Sequence, residues 1–97
     1  RYNRINHPVS LSNIIYIESL SDYIKVVTDD KEIITKERIS KIIERLPTYF
    51  KRTHRSFIVN SQKISSYNRE FITLEDYQIP ISRTYKKDII KYLEVNR

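Results

Sequence analysis

The 97-residue chain has no cysteine, glycine, methionine or tryptophan, and the first two absences narrow the reading most. Without cysteine there is no disulfide staple, no thiolate nucleophile and no cysteine-type zinc site, and a reducing cytosol is compatible. Without glycine there is no glycine-rich phosphate loop and no nucleophile elbow, and every tight turn must be made by Asp, Asn, Ser or Glu. Long apolar runs are missing too: "NIIYI" at 13–17 falls far short of the ~20 residues that span a bilayer. No signal-peptide pattern opens the chain, so the expectation is a soluble, cytoplasmic protein. Acids are the minority charge, 12 Asp and Glu against 18 Lys and Arg, giving a formal net charge of +6. That balance favours an anionic partner, nucleic acid or an anionic membrane surface.

The length suits one domain spanning 1–97 with a single modest core. The first thirty-five residues alternate between β-rich runs and polar breaks, "NIIYIES", "YIKVVT" and "EIIT", which predicts a β-meander turning at Ser21-Asp22 and Asp29-Asp30. Strict alternation puts Tyr16 and Glu18 on one face of the first strand and Ile15 and Ile17 on the other. The period then changes: Ile39, Ile42, Ile43 and Leu46 share one helical face, and Pro47 stops that helix. "KISSY", "EFITLE" and "YQIPIS" predict further paired strands, with Pro80 on an edge because it cannot donate to a ladder. A second helix is expected from Ser82, its hydroxyl capping the first turn, with Tyr85, Ile89, Tyr92 and Leu93 along one side. The N-terminal "RYNRINHPVSL" reads either as a strand or as a lead-in.

Positive charge is concentrated. Residues 50–63 hold Lys51, Arg52, Arg55 and Lys63 without an acid, and residues 82–91 hold Arg83, Lys86, Lys87 and Lys91 against Asp88 alone. Such patches suit successive phosphates, and the forked guanidinium of Arg55 or Arg83 suits the two major-groove acceptors of guanine; a solvated basic face is the alternative. His54 with His7 could form an acid and base pair for a nuclease, although nothing in the sequence brings the two together. The eight tyrosines suit either stacking platforms for single-stranded nucleic acid or core packing, with Tyr16 assigned to the core. Asn60 reads as a turn residue that satisfies backbone, with a base reader as the alternative. The acids Asp22, Asp29, Asp30, Glu75 and Asp76 sit mostly at turns, where Asx-turn chemistry explains them better than a metal site.

Together, "IIYIESLSDYIKV", a short helix ending in "LP", "FKRTHRSFIVN" and "IPISRTYKKDI" resemble the LytTR DNA-binding domain of bacterial response regulators over roughly residues 9–93, in that family's order. The resemblance implies a mainly β fold with two short helices, built from successive small antiparallel β-sheets in an elongated arrangement. It implies sequence-specific binding of double-stranded promoter DNA for transcription regulation, with loops entering successive major grooves. It further implies two copies on direct repeats with possible self-association on DNA, and no enzymatic activity or cofactor. Such domains usually follow a phosphorylatable receiver domain, and none is present in these residues.

Carried over by position, the DNA-facing residues are Ser21, Asp22, Tyr23 and Lys25 at the turn after "IES", Arg52, His54 and Arg55 in "RTHRS", and Arg83 in "ISR". On this reading Arg55 and Arg83 meet base edges and Arg52 and Lys25 meet phosphates. His54 meets a phosphate or orients its own loop, and Lys86 and Lys87 add backbone contacts. Many family members carry glycine in the "IES" turn and before "IPIS", where this chain has Ser21-Asp22 and Asp76-Tyr77.

Overall fold

The computed structural model describes residues 9–96, so the N-terminal strand reading and His7 lie outside the described residues. The predicted meander is formed by β1 (Ile14–Leu20), β2 (Tyr23–Thr28) and β3 (Glu32–Lys36). A hairpin of β4 (Phe50–His54) and β5 (Phe57–Asn60) joins it when β5 pairs with the free side of β1. The result is a five-stranded antiparallel sheet in the order β3-β2-β1-β5-β4. β6 (Ser66–Tyr67), β7 (Phe71–Leu74) and β8 (Tyr77–Pro80) form a second, three-stranded sheet in chain order, and Pro80 does lie on an edge strand.

β1 sits mid-sheet with cover on both faces, which is why Ile14, Ile15, Tyr16 and Ile17 are buried in succession. Strict alternation fails there. The β1–β2 register shifts between Ile14 and Tyr16, and the bulge turns Ile15 and Tyr16 into one core cluster while Ile14 and Ile17 enter the other. The expectation that Ile15 and Ile17 share a face is therefore corrected: the extra residue of a bulge resets the two-residue period.

The first cluster packs Ile15, Tyr16, Val27 and Val59 against Ile72, Leu74 and Ile79 of the second sheet. It also takes Ile89, Ile90 and Leu93 from α2 (Arg83–Val95), adding Ile90 to the helical face read from the sequence. The second cluster, on the opposite face of the large sheet, gathers Ile14, Ile17, Ile24, Ile39, Phe50 and Ile58. There α1 (Ile39–Ile42) supplies only one α-turn and tightens into a 3-10 turn over Ile43–Arg45. Leu46, at φ −92° and ψ 152°, is extended, as a residue before proline prefers. These layers give a body of 39 × 24 × 22 Å.

The missing glycine leaves a mark at two hairpins. Ser21 and Glu75, the first loop residues between Leu20 and Tyr23 and between Leu74 and Tyr77, have φ of 63° and 54°. Glycine is the usual occupant of such a position because a Cβ crowds the backbone at positive φ. The second conformational demand thus falls on Glu75, one residue before the Asp76-Tyr77 pair singled out from the sequence.

Candidate nucleic-acid interface

The segment "RTHRS" folds upon itself. The Arg52 guanidinium donates from Nε to the carbonyl of His54 at 3.1 Å and from Nη2 to the carbonyl of Arg55 at 2.7 Å. Its charge also lies 5.6 Å from the centre of the Tyr85 ring on α2. The Ser56 backbone N–H donates to Nδ1 of His54 at 3.0 Å, and the His54 ring meets Phe57 edge-on with centroids 5.6 Å apart. In the neutral ring this leaves the proton on Nε2. Of the two roles read for His54, the bond to Ser56 matches the orienting of its own loop.

Two further backbone bonds, besides the β1–β5 ladder, join this hairpin to its neighbours. The Ser19 N–H donates to the Ser56 carbonyl at 2.8 Å, bringing the hairpin tip beside the end of β1 and hence beside the Ser21-Asp22 turn. Ser21, Asp22 and Arg52 line one shallow hollow with Ser19, Arg38 and Ser40. On the other side the Ser82 N–H donates to the Thr53 carbonyl at 2.9 Å, fastening the start of α2 to the edge of β4. Ser82 occupies the N-cap position, but its hydroxyl makes no capping bond; Ser82 Oγ and Thr53 Oγ1 are both buried without a hydrogen-bond partner. The predicted side-chain cap is thus corrected, because the docking of this segment onto β4 buries the hydroxyl at the junction. Three segments picked from the sequence, the turn after β1, the β4–β5 hairpin and the start of α2, are therefore tied together by main-chain bonds.

The cations in these segments differ in how they are engaged. Lys25, two residues into β2, pairs with Glu18 across the strands at 3.3 Å. Burial alone would lower its pKa, but the hydrogen bond it donates to Glu18 and the charges of Tyr16, Glu18 and Glu32 outweigh that and hold the ammonium above its usual value. Lys63 pairs with Asp29 at 3.2 Å, and Lys51 lies 4.1 Å from the centre of the Tyr92 ring. Asp22 pairs loosely with Arg38 at 3.9 Å. Arg55, Arg83 and Lys87 are exposed and Lys86 half-buried, and none of the four forms an ion pair among the described residues. Tyr23 is half-buried at the start of β2.

Asn60 does the backbone work expected of it. It is 1% exposed, donates from Nδ2 to the Ile14 carbonyl at 2.8 Å and accepts the Gln62 N–H at 2.9 Å. Tyr16 is in the core as expected, edge-on to Tyr77 with centroids 5.0 Å apart. Sequence reasoning missed Arg38 and Arg69, because each stands among acids or amides in the chain and lacks the acid-free window that marked the other cations. Arg38 lines the hollow with Asp22, and Arg69 lines a groove with Arg83.

The family model for the LytTr DNA-binding domain matches residues 5–94. Among curated relatives, the sensory transduction protein LytT of Bacillus subtilis is 33% identical over 96 residues, which cover 90% of this chain and 39% of the relative. LytT of Bacillus cereus is 31% identical over 96 residues, covering 90% of this chain and 38% of the relative. The chain thus spans well under half the length of these relatives. A solved structure described as a LytTr DNA-binding domain from Bacillus cereus superposes with a TM-score of 0.81 at 26% identity, covering 90% of this chain and 86% of that one. With two antiparallel sheets, two short helices and this match along nearly its whole length, the chain belongs to the LytTR family of DNA-binding domains.

Proposed function

We propose that this domain reads a specific double-stranded promoter sequence for a bacterial response regulator, by presenting the β4–β5 hairpin and the start of α2 to neighbouring major grooves. The observation that carries the reading is the convergence of three main-chain-linked segments bearing Arg55 and Arg83, two exposed guanidinium groups without a carboxylate partner among the described residues. An unpaired arginine on a fixed loop suits bidentate recognition of guanine, since little side-chain order is lost on contact. Arg55 and Arg83 are the base readers, and Lys86 and Lys87 contact phosphates. Ser21, Asp22 and Tyr23 border the same surface. Arg52, His54 and Lys25 act one step behind it: the first two hold the hairpin's shape, and the third is engaged by Glu18.

The packing of Tyr16 against Phe57 and Tyr77 favours duplex over single-strand binding, since those rings are occupied within the fold. From the family resemblance the reading extends to paired copies on direct repeats, a receiver domain in the same polypeptide, a cytoplasmic setting, and binding without cleavage or a cofactor. Selection from a randomised duplex pool, followed by competition with the same strands unpaired, tests it. The expected result is one enriched duplex sequence that single strands do not displace. Arg55→Ala or Arg83→Ala should then cost about 1–3 kcal/mol on that site and relax one base position each. Equal loss on selected and scrambled duplexes would remove the base-reading role, and progressive cleavage abolished by His54→Ala would replace binding with catalysis.

A further inference from the structure

The cations of α2 stand in a place that the helix itself does not favour. Arg83 opens the first turn, which holds no acid, although the helix dipole favours negative charge there. Arg83, Lys87 and Lys91 follow at four-residue spacing, a like-charge ladder that weakens an isolated helix. A fold that tolerates such local conflict commonly does so for a function.

The opposite wall of the same groove comes from another part of the chain. Arg69 is at the tip of the β6–β7 hairpin, in a turn held by Asn68 Oδ1, which accepts the N–H groups of Glu70 at 2.7 Å and Phe71 at 2.8 Å. The Ile81 N–H donates to the Glu70 carbonyl at 2.9 Å, so this turn is fastened beside the entry to α2. Arg69 and four cations of α2, Arg83, Lys86, Lys87 and Lys91, line one groove, with Glu94 the one acid. None of the five cations forms an ion pair among the described residues, whereas Lys25, Arg38, Arg45 and Lys63 all do.

We propose that this groove is a backbone track: Arg69 and Lys91 bind the sugar-phosphate chain of duplex DNA flanking the site read by Arg55 and Arg83. The inference rests on the duplex-binding reading above and extends it along α2. Arg83 belongs to both surfaces, so a phosphate strand leaving the base-reading site continues between the helix and the hairpin tip. Five cations around one opening match a repeating anion better than a single acidic side chain. Contacts made only to phosphate carry no sequence preference, and they strengthen binding only where the flanking duplex is long enough to reach them.

The test uses two duplexes bearing the selected site, one trimmed to it and one extended on both sides, with wild type, Arg69→Ala, Lys91→Ala and the double variant. Both side chains are exposed and unpaired among the described residues, so thermal unfolding should be unchanged and reports on folding. Wild type should bind the extended duplex more tightly. Each substitution should lower the salt slope on it by about 0.9, so that from 50 to 200 mM salt the double variant loses roughly twelvefold less affinity than wild type. On the trimmed duplex all four proteins should behave alike, with unchanged preference for selected over scrambled sites. Wild-type slope and affinity for the double variant on the extended duplex would overturn the proposal. So would loss of binding to phosphatidylserine vesicles with DNA binding intact, which would assign the groove to a membrane surface. Absence of any duplex binding by wild type would instead remove the underlying reading and this track with it.

Discussion

Replacing Arg52 separates two jobs that a cation in a DNA-facing loop can perform. If Arg52 touches phosphate, the charge is what counts, and Arg52→Lys should bind nearly as well as wild type. The geometry says otherwise: one planar guanidinium bridges the carbonyls of His54 and Arg55 while its carbon lies 5.6 Å from the centre of the Tyr85 ring. An ammonium is a point donor and cannot reproduce that fork. Shielded charged hydrogen bonds contribute about 1.5–3 kcal/mol each, but the His54 carbonyl bond is only partly buried and the Arg55 carbonyl bond is exposed, so water competes for both and the pair is worth about 1 kcal/mol. The ring contact adds about 0.5–1 kcal/mol at a half-buried site. Losing about 1.5–2 kcal/mol of hairpin order corresponds to at least a tenfold fall in affinity, if Arg55 must be ordered again at each binding event. The assay is a salt titration of Arg52→Ala and Arg52→Lys on the selected duplex, with a duplex altered at the position read by Arg55. Both variants should lose similar affinity, both should discriminate less at that position, and the salt slope should stay at the wild-type value. A slope lowered by about 0.9 in Arg52→Ala and restored in Arg52→Lys would refute the reasoning and return Arg52 to the phosphates.

Glycine at the strained hairpin positions should stabilise the fold. At Ser21 or Glu75 a side chain at positive φ costs ~1–2 kcal/mol, partly offset by the extra freedom glycine gives the unfolded chain, so a net gain of about 0.5–1 kcal/mol is expected in urea unfolding. A destabilised Glu75→Gly would show that the turn draws on the side chain and not only on the backbone. Alkaline pH should weaken the fold. Burial raises Tyr16 above its ordinary 10.0, and Lys25 is held above 10.5, so the folded state keeps both protons more tightly than the unfolded chain. That stability is complete below these ordinary values and is lost as pH rises through the folded ones. Urea midpoints from pH 7 to 11 should therefore be flat and then fall, less steeply in Tyr16→Phe; an equal fall in that variant would exclude Tyr16 as a contributor.

How far the sequence carried the structure depended on the range of the interaction concerned. The meander, the helix stop at Pro47, the edge position of Pro80 and the core place of Tyr16 follow from periodicity or from single-residue stereochemistry, which neighbouring letters contain. The bulge at Ile15 does not, because a register shift is a property of two strands, and β2 must be in place before the extra residue in β1 can be seen. Asn60 divides along the same line. Its bond to the Gln62 N–H is a local turn contact, while its bond to the Ile14 carbonyl crosses 46 residues of chain and has no local sign. The sequence offers Arg52 as a cation and does not show it as a clamp, since whether a guanidinium meets its own loop or solvent is set by how tightly the hairpin turns. Arg69 has Asn68 and Glu70 beside it, and it takes the pairing of Phe71 with Pro80 and the Ile81–Glu70 bond to bring its turn next to the cations of α2.

The run "FKRTHRSFIVN" places a cationic strand and turn directly before an apolar strand, and burial explains the order. Ile58 and Val59 are both 0% exposed but belong to opposite core clusters, so β5 is gripped from both faces of the sheet. Burying two such side chains contributes about 1.5–3 kcal/mol each, more than the exposed part of the Arg52 clamp. Strand position is therefore set by the core, and the hairpin tip by the weaker bonds of Arg52 and His54. That difference predicts how errors propagate. Ile58→Ala should cost about 2–5 kcal/mol of stability while the fraction that remains folded keeps its base preference, whereas Arg52→Ala should spare most of the stability and blur the preference. Thermal unfolding paired with base-preference measurements on the two variants would check it, and a loss of preference in folded Ile58→Ala would mean that the core and the reading hairpin are not mechanically separate.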